Sequence, residues 1–211
     1  MGLSVRFAAY HRPNMALHTT HLLYLHGFRS SPASTKARMV CDHLARTQPQ
    51  VTVWCPQLPP SPQAALNMVL QGMADWPSNS MAVIGSSLGG FYATIVSQQR
   101  HCRAALLNPA VDPARDLAKY IGKQSSWHNA EDTFFFRAEF VDELRAMSPG
   151  ELKAPELIYA LIAQGDEVLD WREMQARYAK CRQRVMPGSD HAISNFAEHL
   201  DEVLREIGLA A

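Results

Sequence analysis

A serine, a histidine and a carboxylate, each just after a short apolar run, are the side chains that acyl transfer requires. The segment Gly85-Ser86-Ser87-Leu88-Gly89 fits G-x-S-x-G, and Ser87 is its central serine because only it has glycine at both offsets. A serine hydroxyl is a weak nucleophile at neutral pH and needs a base to take its proton. His191 is the candidate base: it follows the last apolar run, and the chain order Ser…Asp…His is the one expected of a G-x-S-x-G hydrolase. Asp166 would accept the other ring N–H, fix the tautomer and stabilise the imidazolium. Glu167, Asp170 and Asp190 are its rivals. Asp170 is better explained as a helix cap, and Asp190 adjoins the histidine in sequence, which makes side-chain pairing awkward. The oxyanion needs preformed donors, expected from the backbone N–H groups of Leu88 and of Phe28 in the turn His26-Gly27-Phe28. Gly85 and Gly89 allow the sharp turn around Ser87, Gly27 belongs to the oxyanion loop, and His26 is expected to support that loop structurally. Each feature has a plainer reading: a Gly/Ser-rich turn, a helix-start histidine, a turn aspartate.

Those residues can meet only if the chain brings them to one place. Leu22-Leu23-Tyr24-Leu25 reads as a buried strand, followed by a helix capped at Ser31-Pro32 and running to about Arg46. Val51-Thr52-Val53-Trp54-Cys55 is a second strand, and a proline-rich stretch leads to a helix over residues 63–74. The elbow strand, a short apolar run from Met81 that ends in Gly85-Ser86-Ser87-Leu88-Gly89, and a helix over 91–99 come next, then a strand at 103–107 stopped by Asn108-Pro109. Residues 157–163 form a further strand, Asp170-Trp171-Arg172-Glu173 opens a helix to about Lys180, and a short strand at 184–186 precedes a closing helix over 193–207. Short strands alternating with helices predict an α/β fold with a mostly parallel sheet covered on both faces. Such sheets place their sites at the carboxyl ends of the strands. His26, Ser87, Asp166 and His191 all follow predicted strands, so four distant parts of the chain converge on one rim. Residues 112–154 break the alternation. They contain no convincing strand but are rich in aromatics, and are expected to form a small helical cap that lines an acyl pocket.

Composition narrows the class. The 211 residues are 47% apolar and 19% charged, which suits one ordinary globular domain. Lys plus Arg and Asp plus Glu both number 20, so no positive excess attracts nucleic acid. No run approaches the length of a transmembrane helix. Cys41, Cys55, Cys102 and Cys181 are far apart and form no C-x-x-C pair, which points to reduced, mostly buried thiols in a cytoplasmic protein. Residues 1–20 have no secretory-signal pattern and are expected to be a loose extension, with Met15 as an alternative start. Arg6, Arg12, Arg29, Lys36 and Arg38 all precede the first acidic residue, Asp42. A chance distribution explains this better than an edge for anionic substrates. His18 and His21 lie three apart without ligand-like partners, so no metal is called for.

The segments Leu23-Tyr24-Leu25-His26-Gly27-Phe28-Arg29-Ser30-Ser31-Pro32, Pro56-Gln57-Leu58-Pro59-Pro60, Gly85-Ser86-Ser87-Leu88-Gly89-Gly90-Phe91-Tyr92-Ala93-Thr94, Asn108-Pro109-Ala110-Val111, Gly165-Asp166-Glu167-Val168-Leu169-Asp170 and Asp190-His191-Ala192 resemble the YqiA-type bacterial esterases, small single-domain α/β-hydrolases of the cytosol. The resemblance runs from about Leu22 to the C-terminus. It implies a serine esterase with the triad Ser87, Asp166 and His191, active on short acyl esters and acyl-CoA thioesters, without cofactor or metal. The first twenty or so residues have no counterpart in that pattern, and Trp127 to Thr133 fall in a variable part of the cap. Two alternatives stand beside it: a hydrolase-fold binding protein with an idle site, and another triad hydrolase, a peptidase or carbon–carbon bond hydrolase. The expected partner is a small-molecule ester or thioester, with neither nucleic acid nor membrane involved.

Overall fold

The computed structural model describes residues 18–127 and 131–209; the proposed start at Met15 and most of the expected extension lie outside them. Thr19 and Thr20, at the end of that stretch, already belong to the folded body. The Thr19 N–H donates to Gly208 O at 3.2 Å and the Thr20 N–H to Ser80 O at 2.7 Å.

In chain order the elements are β1 (His21–Leu25), α1 (Thr35–Thr47), β2 (Thr52–Trp54), α2 (Pro62–Gly72), β3 (Met81–Ser86), α3 (Leu88–Arg100), β4 (Arg103–Leu107), α4 (Pro113–Leu117), β5 (Gly122–Ser125), β6 (Thr133–Phe136), α5 (Ala138–Ala146), β7 (Ile158–Ala163), α6 (Trp171–Arg177), β8 (Arg182–Met186) and α7 (Leu200–Glu206). Six strands form one sheet in the order β2-β1-β3-β4-β7-β8, every neighbour parallel. β3 and β7 are buried along their whole length, as continuous apolar runs are when helices cover both faces. β1 shows how the pleat sorts side chains. Leu23 and Leu25 pack with α2 and α3, while Leu22 and Tyr24 pack with α1 and α7 on the other side.

Helix limits depart from the sequence pattern most clearly at α1 and at the end of the chain. α1 is capped by Ser34, whose hydroxyl accepts from Ala37 N–H at 3.4 Å, and not by Ser31. Ser31 instead takes the Ser34 N–H on its carbonyl at 3.0 Å, closing a turn that contains Pro32. The expected closing helix over 193–207 is broken into a 3-10 turn at 196–198 and the short α7. At the expected start Ile193 has φ 49°, outside the right-handed helical region, and the Asp190 carboxylate takes the N–H and the hydroxyl of Ser194 at 2.8 and 2.6 Å, so the chain passes this point as a turn.

The excursion after β4 contains α4 and α5, as expected, and also a strand pair that the sequence did not reveal. β5 and β6 are antiparallel, with Gln124 opposite Phe134 and Lys123 opposite Phe135. The aromatic run of β6 suits a strand, but its partner Gly-Lys-Gln-Ser carries no strand propensity, so the pairing depends on what the hairpin covers. Phe134 and Phe136 point inward to Phe28, ring centroids 5.9 and 5.1 Å away; Phe136 also meets Phe140 at 5.6 Å. Phe135 points outward and is largely exposed. Arg29 ties this hairpin to the loop after β1, donating from Nε to Ser125 O at 2.6 Å and accepting the Trp127 N–H at 2.8 Å. Among the described residues no helix is long and apolar enough to cross a membrane.

Phe136 is only 1% exposed and anchors the hairpin to both Phe28 and α5. Phe136→Ala is expected to cost about 3–5 kcal/mol, read as a lower urea midpoint, with protease sensitivity rising within β5 and β6.

Candidate active site

β3 delivers Ser87 to the rim of the sheet, and the chain reverses there into α3 with Ser87 at φ 56° and ψ −121°. A non-glycine residue in that region is strained. Hydrogen bonds hold it on both sides: its N–H donates to Leu107 O at 3.0 Å, and its carbonyl accepts from Gly90 and Ala110 at 2.9 and 3.0 Å. The turn also brings α3 directly against the sheet. A Cβ on Gly85 would lie 2.2 Å from Gly89 O, and one on Gly89 would lie 2.0 Å from Leu25 O. Neither position can carry a side chain without moving the helix.

Opposite Ser87 stands His191, in the loop between β8 and α7. Ser87 Oγ lies 3.0 Å from His191 Nε2, and His191 Nδ1 lies 2.8 Å from Asp166 Oδ2. The Asp166 side chain is completely buried and that of His191 is 21% exposed. A buried carboxylate is costly unless its oxygens are satisfied, and this one is. Its Oδ1 accepts from the Val168 and Leu169 N–H groups, both at 2.8 Å. With Nδ1 donating to that carboxylate, Nε2 is left to accept from the Ser87 hydroxyl. The rival acids have other positions. Glu167 accepts the backbone N–H of His191 at 3.0 Å, Asp170 caps α6 through Arg172 N–H at 2.9 Å, and Asp190 binds Ser194. The Ser194 hydroxyl is the main reason the Asp190 carboxyl is held below its ordinary value.

The loop after β1 closes the other side. A Cβ on Gly27 would stand 3.1 Å from Ser87 Cβ, so the loop passes hard against the serine. His26 is buried, and its Nε2 accepts the Leu58 N–H at 3.1 Å. The proton therefore sits on Nδ1, which donates to Gly27 O at 2.9 Å. That carbonyl belongs to the same planar peptide as the Phe28 N–H, which points the opposite way. By fixing one, His26 aims the other. Leu88 N–H lies at the free N-terminus of α3, where donors have no partner within the helix. A cleft of about 470 Å³ opens beside both residues, with Leu58, Tyr92 and Phe134 on its apolar wall and Arg29 and Gln57 among its polar groups.

The structure thus brings together Ser87, His191, Asp166, Gly27, Phe28 and Leu88. Lys36, read from sequence only as part of a basic edge, was missed. From α1 it donates to the carbonyl of Ala192, beside the histidine. Burial pushes its ammonium down to about 8, against the pull of Asp190 and Asp166. Only its position in the fold could have shown this. The cysteines stand apart from the chemistry: all four are free, and burial pushes the thiols of Cys55 and Cys102 up to about 12. Among the described residues no group of His, Cys, Asp and Glu is placed to hold a metal ion.

Residues 21–206 match the model of an uncharacterised protein family, UPF0227. Solved structures with the same fold include one reported for LipS and LipT, two metagenome-derived lipolytic enzymes, at 16% identity and a TM-score of 0.67, covering 90% of this chain and 94% of that one. Est1E of Butyrivibrio proteoclasticus with bound ferulic acid is similar at 14% identity and a TM-score of 0.65, covering 93% and 92% of the two chains. Mouse alpha/beta hydrolase domain-containing protein 10 aligns at 15% identity and a TM-score of 0.63, covering 89% and 90%. At these identities the likeness establishes the α/β-hydrolase fold.

The contact at Gly89 is open to test. Gly89→Ala should lower unfolding stability by about 3 kcal/mol or more in urea denaturation, because the methyl meets rigid strand backbone.

Proposed function

We propose, for a chain that belongs to UPF0227, the YqiA family, a serine esterase mechanism carried by Ser87, His191 and Asp166. The observation that supports it is the unbroken hydrogen-bonded line from the Ser87 hydroxyl through both ring nitrogens of His191 to the buried carboxylate of Asp166. Ser87 Oγ attacks the ester carbonyl carbon as His191 Nε2 takes the hydroxyl proton. Asp166 stabilises the imidazolium and keeps it turned to the serine. The oxyanion forms next to Gly27, where the N–H groups of Phe28 and Leu88 receive it. Its collapse breaks the carbon–oxygen bond, or the carbon–sulfur bond of a thioester, and His191 returns the proton to the departing alcohol or thiol. Water activated by the same imidazole then releases the acid and restores Ser87. No cofactor enters this cycle.

The cleft suits short- to medium-chain carboxylic esters, with acyl-CoA thioesters as a second substrate class. Its volume falls within the range of small-molecule sites, and its apolar wall lies beside the proposed oxyanion donors. Wild type and Ser87→Ala, incubated with p-nitrophenyl esters from acetate to palmitate and with an acyl-CoA series, test both levels of the reading. Ser87→Ala should lose roughly 10³-fold or more in kcat with an unchanged melting temperature. Asp166→Asn, which presents the wrong hydrogen-bonding partner to Nδ1, should lose about 10⁴-fold. Full turnover by Ser87→Ala would sink the mechanism. If the folded wild type neither turns over these substrates nor reacts with a fluorophosphonate at Ser87, the site is idle. Labelling without ester turnover would point to a peptidase or carbon–carbon bond hydrolase.

A further inference from the structure

Asn108 follows β4 and has no place in the mechanism above, yet it touches both segments that carry the serine's partners. It is completely buried and has φ 43°. Its backbone N–H continues the sheet by donating to Leu161 O at 3.0 Å. Its side chain makes three further bonds. Oδ1 accepts the N–H of Ala163, the last residue of β7, at 2.8 Å. Nδ2 donates to the carbonyls of Asp190 and His191, at 3.0 and 3.2 Å. The partners fix the orientation of the amide, because one is an N–H and the other two are carbonyls, so a flipped amide would oppose all three. One uncharged group therefore joins the end of β7, three residues before Asp166, to the peptide units on either side of the histidine backbone.

We infer that Asn108 is a positioning residue: its amide sets the distance and tilt of His191 relative to Ser87 and Asp166. This rests on the triad reading. Two charged side chains also reach the backbone beside the histidine, Glu167 on the His191 N–H and Lys36 on the Ala192 carbonyl, both nearer the surface than Asn108. Only asparagine combines a single acceptor with two donors at this reach. Aspartate would turn an oxygen towards two carbonyl oxygens. A left-handed backbone before Pro109 explains an asparagine equally well, but it makes a different demand, which glycine would meet in full.

That difference supplies the test. Wild type, Asn108→Gly, Asn108→Asp and Ser87→Ala are assayed with p-nitrophenyl butyrate; kcat of the three proteins that keep Ser87 is expressed per site labelled by fluorophosphonate at end point, and that of Ser87→Ala per mole of protein. Partial unfolding lowers the number of labelled sites and leaves that ratio unchanged. Asn108→Gly should lose roughly 10- to 100-fold in kcat per site, with KM held within about threefold because Asn108 does not line the cleft. Asn108→Asp, which keeps the side-chain volume, should fall at least as far, and labelling should slow in parallel in both variants. Wild-type kcat per site in either variant would overturn the inference and leave Asn108 a backbone residue. Turnover by Ser87→Ala in the same experiment would instead remove the triad reading itself, so the two failures are distinguishable.

Discussion

The site depends on one steric constraint, the direct contact of the α3 N-terminus with the ends of β1 and β3. Helix and strand backbones approach there more closely than any Cβ permits, and the two glycines around Ser87 remove the atoms that would collide. Close approach forces the reversal at Ser87 into a backbone region that costs of order 1–3 kcal/mol. Burial of α3 offsets this cost, since every residue from Leu88 to Ser97 is buried. Strain of this kind is concentrated around the site. Of the six described non-glycine residues with positive φ, five (Arg29, Ser87, Asn108, Ser189 and Ile193) lie in the loops that surround it, and only His101 lies at the opposite end of α3. The sheet's rim is where the chain departs from regular geometry, and it departs in several loops at once.

Electrostatics impose the second condition. A carboxylate removed from water is costly unless its oxygens are engaged, and those of Asp166 meet two backbone N–H groups and one imidazole. Lys36 adds a cation near the same loop without touching the carboxylate. Its low-lying ammonium reflects an environment in which burial outweighs the attraction of Asp190 and Asp166. Negative charge at the site is therefore balanced mainly by oriented dipoles. Dipoles fixed by backbone would keep their direction as the proposed mechanism shifts charge from serine to histidine, whereas a mobile side chain would have to reorganise.

How far the sequence disclosed this follows from the range of each interaction. The strands were legible because burial on both faces requires continuous apolar runs, and Ser87 because a steric rule ties glycines to fixed offsets. His191 and Asp166 were legible from their places after strands. Asp166 rather than Glu167 faces the histidine because the turn after β7 points the first of the two towards it and leaves the second to bind backbone. The β5–β6 hairpin was hidden because β5 is polar and pairs only through what β6 covers. The break in the closing helix was hidden because apolar periodicity does not show the positive φ that Ile193 adopts at the expected start. Asn108 read merely as a strand stop, since the carbonyls it binds are more than eighty residues away.

The hairpin that sequence missed bears on the chemistry proposed for the site. Phe28 is held at both ends. Its ring sits among Phe134, Phe136 and Tyr120, and the peptide before it is held by His26 through Gly27 O. Arg29, the next residue, fastens the same loop to Ser125. A backbone N–H has no rotamer of its own, so its direction can be set only by clamping the peptide on either side. Preorganised donors contribute most when they do not move as charge develops. The excursion after β4 therefore does more than cover a cleft. By packing against Phe28 it stiffens the proposed oxyanion donor, and this couples the excursion to the step at which the proposed mechanism forms its tetrahedral intermediate.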